Sequence, residues 1–132
     1  MIDGSDDTLK DGTRKSRGQT GYHAGVAAED CVAQDYERRG YPLACKRWRG
    51  AGGEVDLILR DGQGLVFVEV KKSRDFARAA ERLSARQMLR LQAAAEEFLA
   101  TEPNGSLTEV RFDVALVNGM GEIRVIENAF GH

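Results

Sequence analysis

Asp56, Glu69 and Lys71 lie within one stretch, Gly53 to Lys71 (GEVDLILRDGQGLVFVEVK), that otherwise reads as two apolar strands joined by a tight connection. Successive side chains of a strand point to opposite faces. The alternation therefore predicts Glu54 and Asp56 on one face of the first strand and Val55, Leu57 and Leu59 on the other. In the second strand Val66, Val68 and Val70 share one face, and Leu65, Phe67, Glu69 and Lys71 share the opposite one, which begins apolar and ends charged. Asp61-Gly62-Gln63-Gly64 is turn chemistry, because glycine supplies the positive φ of a tight reversal. Pairing backwards from that turn brings Asp56 opposite Glu69, at Cβ separations of about 4.5–5.5 Å for a direct pair. Two carboxylates so placed cost stability unless a cation, a shared proton or an ammonium group offsets the repulsion. The plain alternative is a solvated face on which Lys71 pairs with one acid for about 0.2–1 kcal/mol.

The elements that must position this hairpin come from a chain of 132 residues, one domain by length and large enough for a core without disulfide or metal staples. No run approaches the ~20 apolar residues of a membrane span, and the N-terminus lacks a signal-peptide pattern, so a cytoplasmic protein without a membrane partner is expected. Cys31 and Cys45 lack metal-type spacing and are read as buried free thiols, while His23 and His132 are too scattered for a zinc site. The net charge of −2 hides a strong asymmetry: residues 38–90 carry 13 Lys and Arg against 6 Asp and Glu, a net of +7, and the rest of the chain carries −9. A basic surface around an acidic cluster suits a polyanion that is drawn in and met by metal ions. Basic residues on exposed faces also serve solubility alone.

Residues 1–20 are polar and of mixed charge, and are expected to form a flexible tail ahead of a domain spanning 21–132. A first helix is predicted from Gly21 to Arg39, stopped by Gly40, with Val26, Ala33 and Tyr36 on its apolar stripe beside Gly25, Ala28 and Val32. Glu29 is the odd residue on that stripe: either it reaches the hairpin's acidic face as a third carboxylate, or it sits at the margin and pairs with an arginine. Tyr41 to Arg49 is predicted as a strand, in which Trp48 either stacks on a base or packs on its own sheet. Lys72, Arg74 and Arg78 fall in a polar segment read as a mobile loop. Ser84 to Ala100 is a second helix with Met88, Leu91, Ala95 and Phe98 on one face, and Ser84-Ala85-Arg86-Gln87 is a capping-box pattern. Arg82, Arg86 and Arg90 recur every four residues. Glu109 to Val117 and Ile123 to Ile126 close the chain as a second hairpin around Asn118-Gly119-Met120-Gly121.

Helix, three strands, helix and two strands, with Asp56, Glu69 and Lys71 on the central hairpin, resembles the restriction-endonuclease-like core of the PD-(D/E)xK nucleases. The fold expected is therefore α/β, a mixed central sheet of about five strands flanked by helices (αβββαββ). More narrowly, Gly53-Glu54-Val55-Asp56-Leu57-Ile58, Val66-Phe67-Val68-Glu69-Val70-Lys71, Arg111-Phe112-Asp113-Val114 and Asn128-Ala129-Phe130 resemble the ordered motifs of the YraN family of small bacterial proteins, over roughly residues 21 to 130. The chain departs from residues frequent in that family at Arg47, Ser73 and Gln87.

That resemblance, which extends to archaeal Holliday-junction resolvases, implies Glu29 as the first-helix glutamate, Asp56 and Glu69 as metal-binding acids and Lys71 as the catalytic lysine. The cofactor implied is Mg²⁺ or Mn²⁺, held by Asp56, Glu69 and the main-chain carbonyl of Val70, with Glu29 or Glu54 completing the shell through water. The partner implied is nucleic acid, DNA before RNA, with phosphates contacted by Arg47, Trp48, Arg49, Lys72, Arg74, Arg78, Arg86 and Arg90. A resolvase acting on two strands is expected to work as a homodimer. The activity expected is phosphodiester hydrolysis, against two rivals: a non-catalytic nucleic-acid-binding module and a scaffold protein that uses the fold for a partner.

Overall fold

The computed structural model describes residues 20–130, with side chains described from residue 27. Residues 1–19 of the expected tail and His132 lie outside what is described, as do the side chains of His23 and Val26, while Thr20 already belongs to the first helix. Helix α1 (Thr20–Arg38) leads into β1 (Leu43–Arg49), β2 (Glu54–Asp61) and β3 (Gly64–Lys72). Helices α2 (Phe76–Glu81) and α3 (Ala85–Leu99), a 3₁₀ turn, β4 (Val110–Val117) and β5 (Ile123–Ile126) follow. The strands form one five-stranded sheet in sequence order. Three of its pairings are antiparallel and β3–β4 is parallel, because the connection through α2 and α3 carries the chain back to the starting end of β3. This is the expected mixed α/β sheet with one helix more than the sequence pattern indicated.

Helix α1 ends where the sequence requires. Gly40 takes φ +98°, its N–H bonds the Glu37 carbonyl at 3.1 Å, and the Tyr41 N–H bonds the Tyr36 carbonyl at 3.0 Å. That pair of bonds satisfies carbonyls a helix end would otherwise leave open, and glycine takes the left-handed position without steric cost. Ala28, Val32, Ala33 and Tyr36 are buried on one face of the sheet against Leu57, Leu59, Val66, Val68, Ala115 and Val117. On the other face α3 covers Val55, Ile58, Leu65 and Phe67 with Leu91, Ala94, Ala95 and Phe98. The alternation read for β3 holds. In β2 it fails at one point: Val55 packs on the α3 face while Leu57 and Leu59 pack on the α1 face.

Trp48 settles as a packed residue. Its ring meets Phe98 edge-on at 5.6 Å, Phe98 meets Phe67 at 6.1 Å, and Phe67, Phe112 and Phe130 continue the chain of rings at 5.5 and 5.7 Å. Of the two readings of Trp48, packing on its own sheet is the one the contacts show, its partly buried ring lying against the α3-side core. Cys31 is exposed and Cys45 half-buried, both as free thiols, so the expectation of two buried thiols is also corrected. Residues 76–81, expected as loop, form α2 because the Asp75 side chain accepts the Arg78 N–H at 2.8 Å and Ala79 is buried against Val114 and Leu116. Among the described residues no helix is long and apolar enough to cross a membrane.

Candidate functional site

The β2–β3 ladder runs from Asp61↔Gly64 to Leu57↔Val68, and one step further in the same register sets Asp56 opposite Glu69. At that step the two strands are joined through a side chain, since the Val70 N–H donates to Asp56 Oδ2 at 2.8 Å. A residue's N–H and C=O leave a strand on the same side, so the Val70 carbonyl also faces the β2 side where Asp56 sits. Across β2 the pairs Lys46↔Leu57 and Trp48↔Val55 bracket Arg47 and Asp56. Arg47 has φ +53°, a left-handed conformation that is uncommon for a non-glycine residue. Lys46 turns toward α1, where its Nζ bonds Asp30 at 2.5 Å, and Trp48 turns toward α3. The break in alternation thus falls at one level of both strands, around Asp56.

Glu69 and Lys71 occupy the charged end of the β3 face, with side chains 17% and 12% exposed, and Lys71 Nζ lies 2.8 Å from Glu69 Oε2. Gln87, from the first turn of α3, completes the cradle. With its amide turned so that both ends are satisfied, the oxygen accepts from Lys71 Nζ at 2.9 Å and the nitrogen donates to the Arg82 carbonyl at 2.8 Å. The capping box read from Ser84-Ala85-Arg86-Gln87 is half made: Ser84 Oγ accepts the Gln87 N–H at 3.1 Å, but the Gln87 side chain turns to the lysine. Sequence reasoning gave Gln87 no place beside Lys71, because the contact depends on how α3 is docked.

Asp56 is half-buried, and its carboxyl is pushed up to about 7. Burial is the largest cause and the Glu69 charge the next; the Val70 N–H pulls the other way, Glu29 adds to the rise and Lys71 opposes it. Glu29 thus acts on the site from α1, while its carboxylate, 13% exposed, is bound by Arg47 Nε at 3.0 Å. Of the two readings of Glu29, the pairing with an arginine is the contact the structure shows, and the acid bears on Asp56 as one of the lesser charges that raise it. Glu54 is exposed and faces Arg49 at 3.6 Å. Among the described residues no three His, Cys, Asp or Glu side chains converge closely enough to form a metal cluster. The side chains able to hold a hard divalent ion directly reduce to Asp56 and Glu69, beside the Val70 carbonyl. Their oxygen chemistry and the crowding of negative charge that raises the Asp56 carboxyl fit such an ion.

The expected phosphate contacts divide into groups. Arg49 and Arg90 line one cleft of about 370 Å³ with Gly50 to Glu54, next to Asp56 in the chain. Gly53 lies against the Arg90 main chain there, and a Cβ at Gly50 would collide with Glu97 and the Trp48 ring. Lys72, expected in a loop, is the last residue of β3 and pairs with Val117; Arg74 and Arg78 beyond it are exposed, and Arg86 is exposed on α3. Arg47, 40% exposed, pairs with Glu29 on α1. Arg82 is the residue that ends α2, with its Nη1 on the Lys72 carbonyl at 2.8 Å, so it does not share a helix with Arg86 and Arg90.

The Arg-Phe-Asp-Val and Asn-Ala-Phe motifs are structural. Asp113, fully buried, accepts from Tyr36 Oη at 2.7 Å, from Arg111 Nε and Nη2 at 2.9 and 3.0 Å, and from the Asn128 N–H at 3.0 Å. Burial and Asp113 push the Tyr36 hydroxyl far up, and Asp113 raises Arg111 further. Phe112 and Phe130 belong to the aromatic row.

Fold and site define a small α/β protein with an Asp, Glu and Lys constellation at the ladder's end of its central hairpin. The profile of the uncharacterised protein family UPF0102 matches residues 28–117, and the chain belongs to that family, the YraN family whose motifs the sequence carries. It is 66% identical over 117 residues to a UPF0102 protein of Ruegeria pomeroyi, covering 89% of this chain and 95% of the relative. A UPF0102 protein of Cereibacter sphaeroides is 59% identical over 113 residues (86% and 97%), and one of Roseobacter denitrificans 52% over 116 (88% and 90%).

Proposed function

We propose that the protein is a metal-dependent nuclease that hydrolyses phosphodiester bonds, with DNA as its substrate. The observation that carries the reading is the half-buried Asp56 beside Glu69, its carboxyl pushed up to about 7, with Lys71 tethered 2.8 Å from Glu69. A protein gains nothing in stability from crowding acids this way unless a cation relieves them. Asp56, Glu69 and the Val70 carbonyl would hold Mg²⁺ or Mn²⁺. Such an ion, when bound, supplies polarisation of a phosphoryl oxygen and a more acidic water. Lys71, fixed between Glu69 and Gln87, places a positive charge at the edge of the pair, where it orients the attacking water and stabilises charge developing on the phosphate. Arg49 and Arg90 of the cleft, with Lys72, Arg74, Arg78 and Arg86, bind the phosphate backbone without reading bases.

Labelled four-way junction, flap, duplex and single-stranded DNA incubated with Mg²⁺ or Mn²⁺ test the reading. Cleavage of at least one substrate, lost in Lys71→Ala, is the expected result. Binding without products from any substrate would favour the non-catalytic module, and products that survive Lys71→Ala would point to a contaminant.

A further inference from the structure

We propose that Arg47 is a built-in counter-cation of the acidic pocket, one that offsets Glu29 in the metal-free protein and so sets how tightly a divalent ion binds. The inference deepens the reading of Asp56 and Glu69 as a metal site and rests on it. Three observations meet at this residue. Arg47 stands at the level of Asp56, between the pairs Lys46↔Leu57 and Trp48↔Val55. Its backbone is held at φ +53°, an arrangement that costs energy for an arginine and persists only where surrounding contacts support it. Its Nε reaches across to Glu29 Oε1 at 3.0 Å, although a regular strand would send residue 47 to the same face as Cys45, which packs on the α3 side.

The left-handed turn is what redirects the guanidinium to the α1 side, so the unusual backbone and the ion pair are one feature. Glu29 is also one of the acids that raise Asp56. A cation on Glu29 therefore lessens the crowding when no metal is present. It also repels an incoming divalent ion, so that the ion and Arg47 compete for the same negative charge. The Arg47 side chain, 40% exposed, lies near enough to solvent for a polyanion to draw it away. Occupancy by a backbone phosphate would then free Glu29 and tighten metal binding, coupling the two ligands in a reciprocal way.

Calorimetric titration of Mn²⁺ into the full chain tests this at low salt, with wild type, Arg47→Gln, Arg47→Lys and an Asp56→Ala, Glu69→Ala double variant. Gln keeps an unbranched polar side chain on the same strained backbone and removes the charge together with the guanidinium donors, while Arg47→Lys keeps the charge and loses the fork. The expected result is Mn²⁺ binding roughly tenfold tighter in Arg47→Gln, as removal of a unit charge within several ångströms of a divalent ion predicts, with Arg47→Lys close to wild type. Raising the salt should narrow the difference. Without metal, Arg47→Gln should unfold at lower urea than wild type, and adding Glu29→Gln should recover most of that loss. Mn²⁺ affinity in Arg47→Gln equal to or weaker than wild type overturns the role of Arg47 and leaves the metal site standing. Absence of Mn²⁺ binding by wild type, or equal binding by the double variant, takes down the metal site and this inference with it.

Discussion

Replacing Asp56 by Asn should stabilise the metal-free protein at neutral and higher pH. The Asp56 carboxyl titrates near 7 when folded and near 3.8 when unfolded, so the folded state binds its proton more tightly. Below the unfolded value the group costs nothing. Between about pH 4 and 7 the folded state is progressively penalised relative to the unfolded one, and above that window the penalty is constant. At about 1.36 kcal/mol per pKa unit the full shift corresponds to roughly 4 kcal/mol, and screening of a half-buried group brings the expected figure to about 2 kcal/mol. Asn reproduces the protonated carboxyl in size and retains an oxygen for the Val70 N–H at 2.8 Å. Urea unfolding in chelator should therefore find wild type and Asp56→Asn alike near pH 4 and the variant ahead by about 2 kcal/mol at pH 8. That difference moves the midpoint by roughly 1 M. Saturating Mn²⁺ should shrink or reverse the gap, because a ligand bound only by the folded wild type stabilises it by mass action. A variant no more stable than wild type at pH 8, or a gain independent of pH, would refute the crowded-carboxylate account.

Asp113→Ala should destabilise the fold by about 3–5 kcal/mol in denaturant melts, since it strands the buried ends of Tyr36 and Arg111; a loss below 1 kcal/mol would contradict the structural role given to that motif. Gln87→Ala should lower the cleavage rate about tenfold while leaving Mn²⁺ affinity unchanged, because it releases Lys71 without touching the acids. Duplex DNA affinity should fall steeply between about 50 and 200 mM salt, and Arg86→Gln should reduce the log–log slope by about one; a salt-independent binding curve would count against phosphate contacts.

The hairpin and the site's core were legible because strand alternation, a glycine turn and register are local rules. Counting back from Asp61-Gly62-Gln63-Gly64 predicts the observed ladder as far as Leu57↔Val68, one step short of Asp56 and Glu69. The same rule misplaced Val55, because the irregularity opposite Arg47 is a backbone event that residue types do not announce. Helix α2 is not legible because six residues carry too little periodicity, and it is held by the Asp75 cap and by Ala79, Phe76 and Ala80 packed on β4. Trp48 had two readings that composition cannot separate; only the docking of Phe98 decides between them. Gln87 illustrates the limit most directly. Its spacing from Ser84 fits a cap, and half of that cap forms, yet its amide is spent on Lys71 because α3 packs with that turn over the end of β3.

The central claim is that Asp56 and Glu69 together form a divalent-cation site, and calorimetric titration of Mn²⁺ into the wild type and the Asp56→Ala, Glu69→Ala double variant measures it directly. A hard ion on two carboxylates and a carbonyl keeps several waters, so weak binding by the wild type is predicted, tightening as pH rises through about 7 and Asp56 releases its proton. The double variant should show no saturable heat at the same concentrations while retaining a cooperative urea transition. Equal binding by the two proteins would contradict the account.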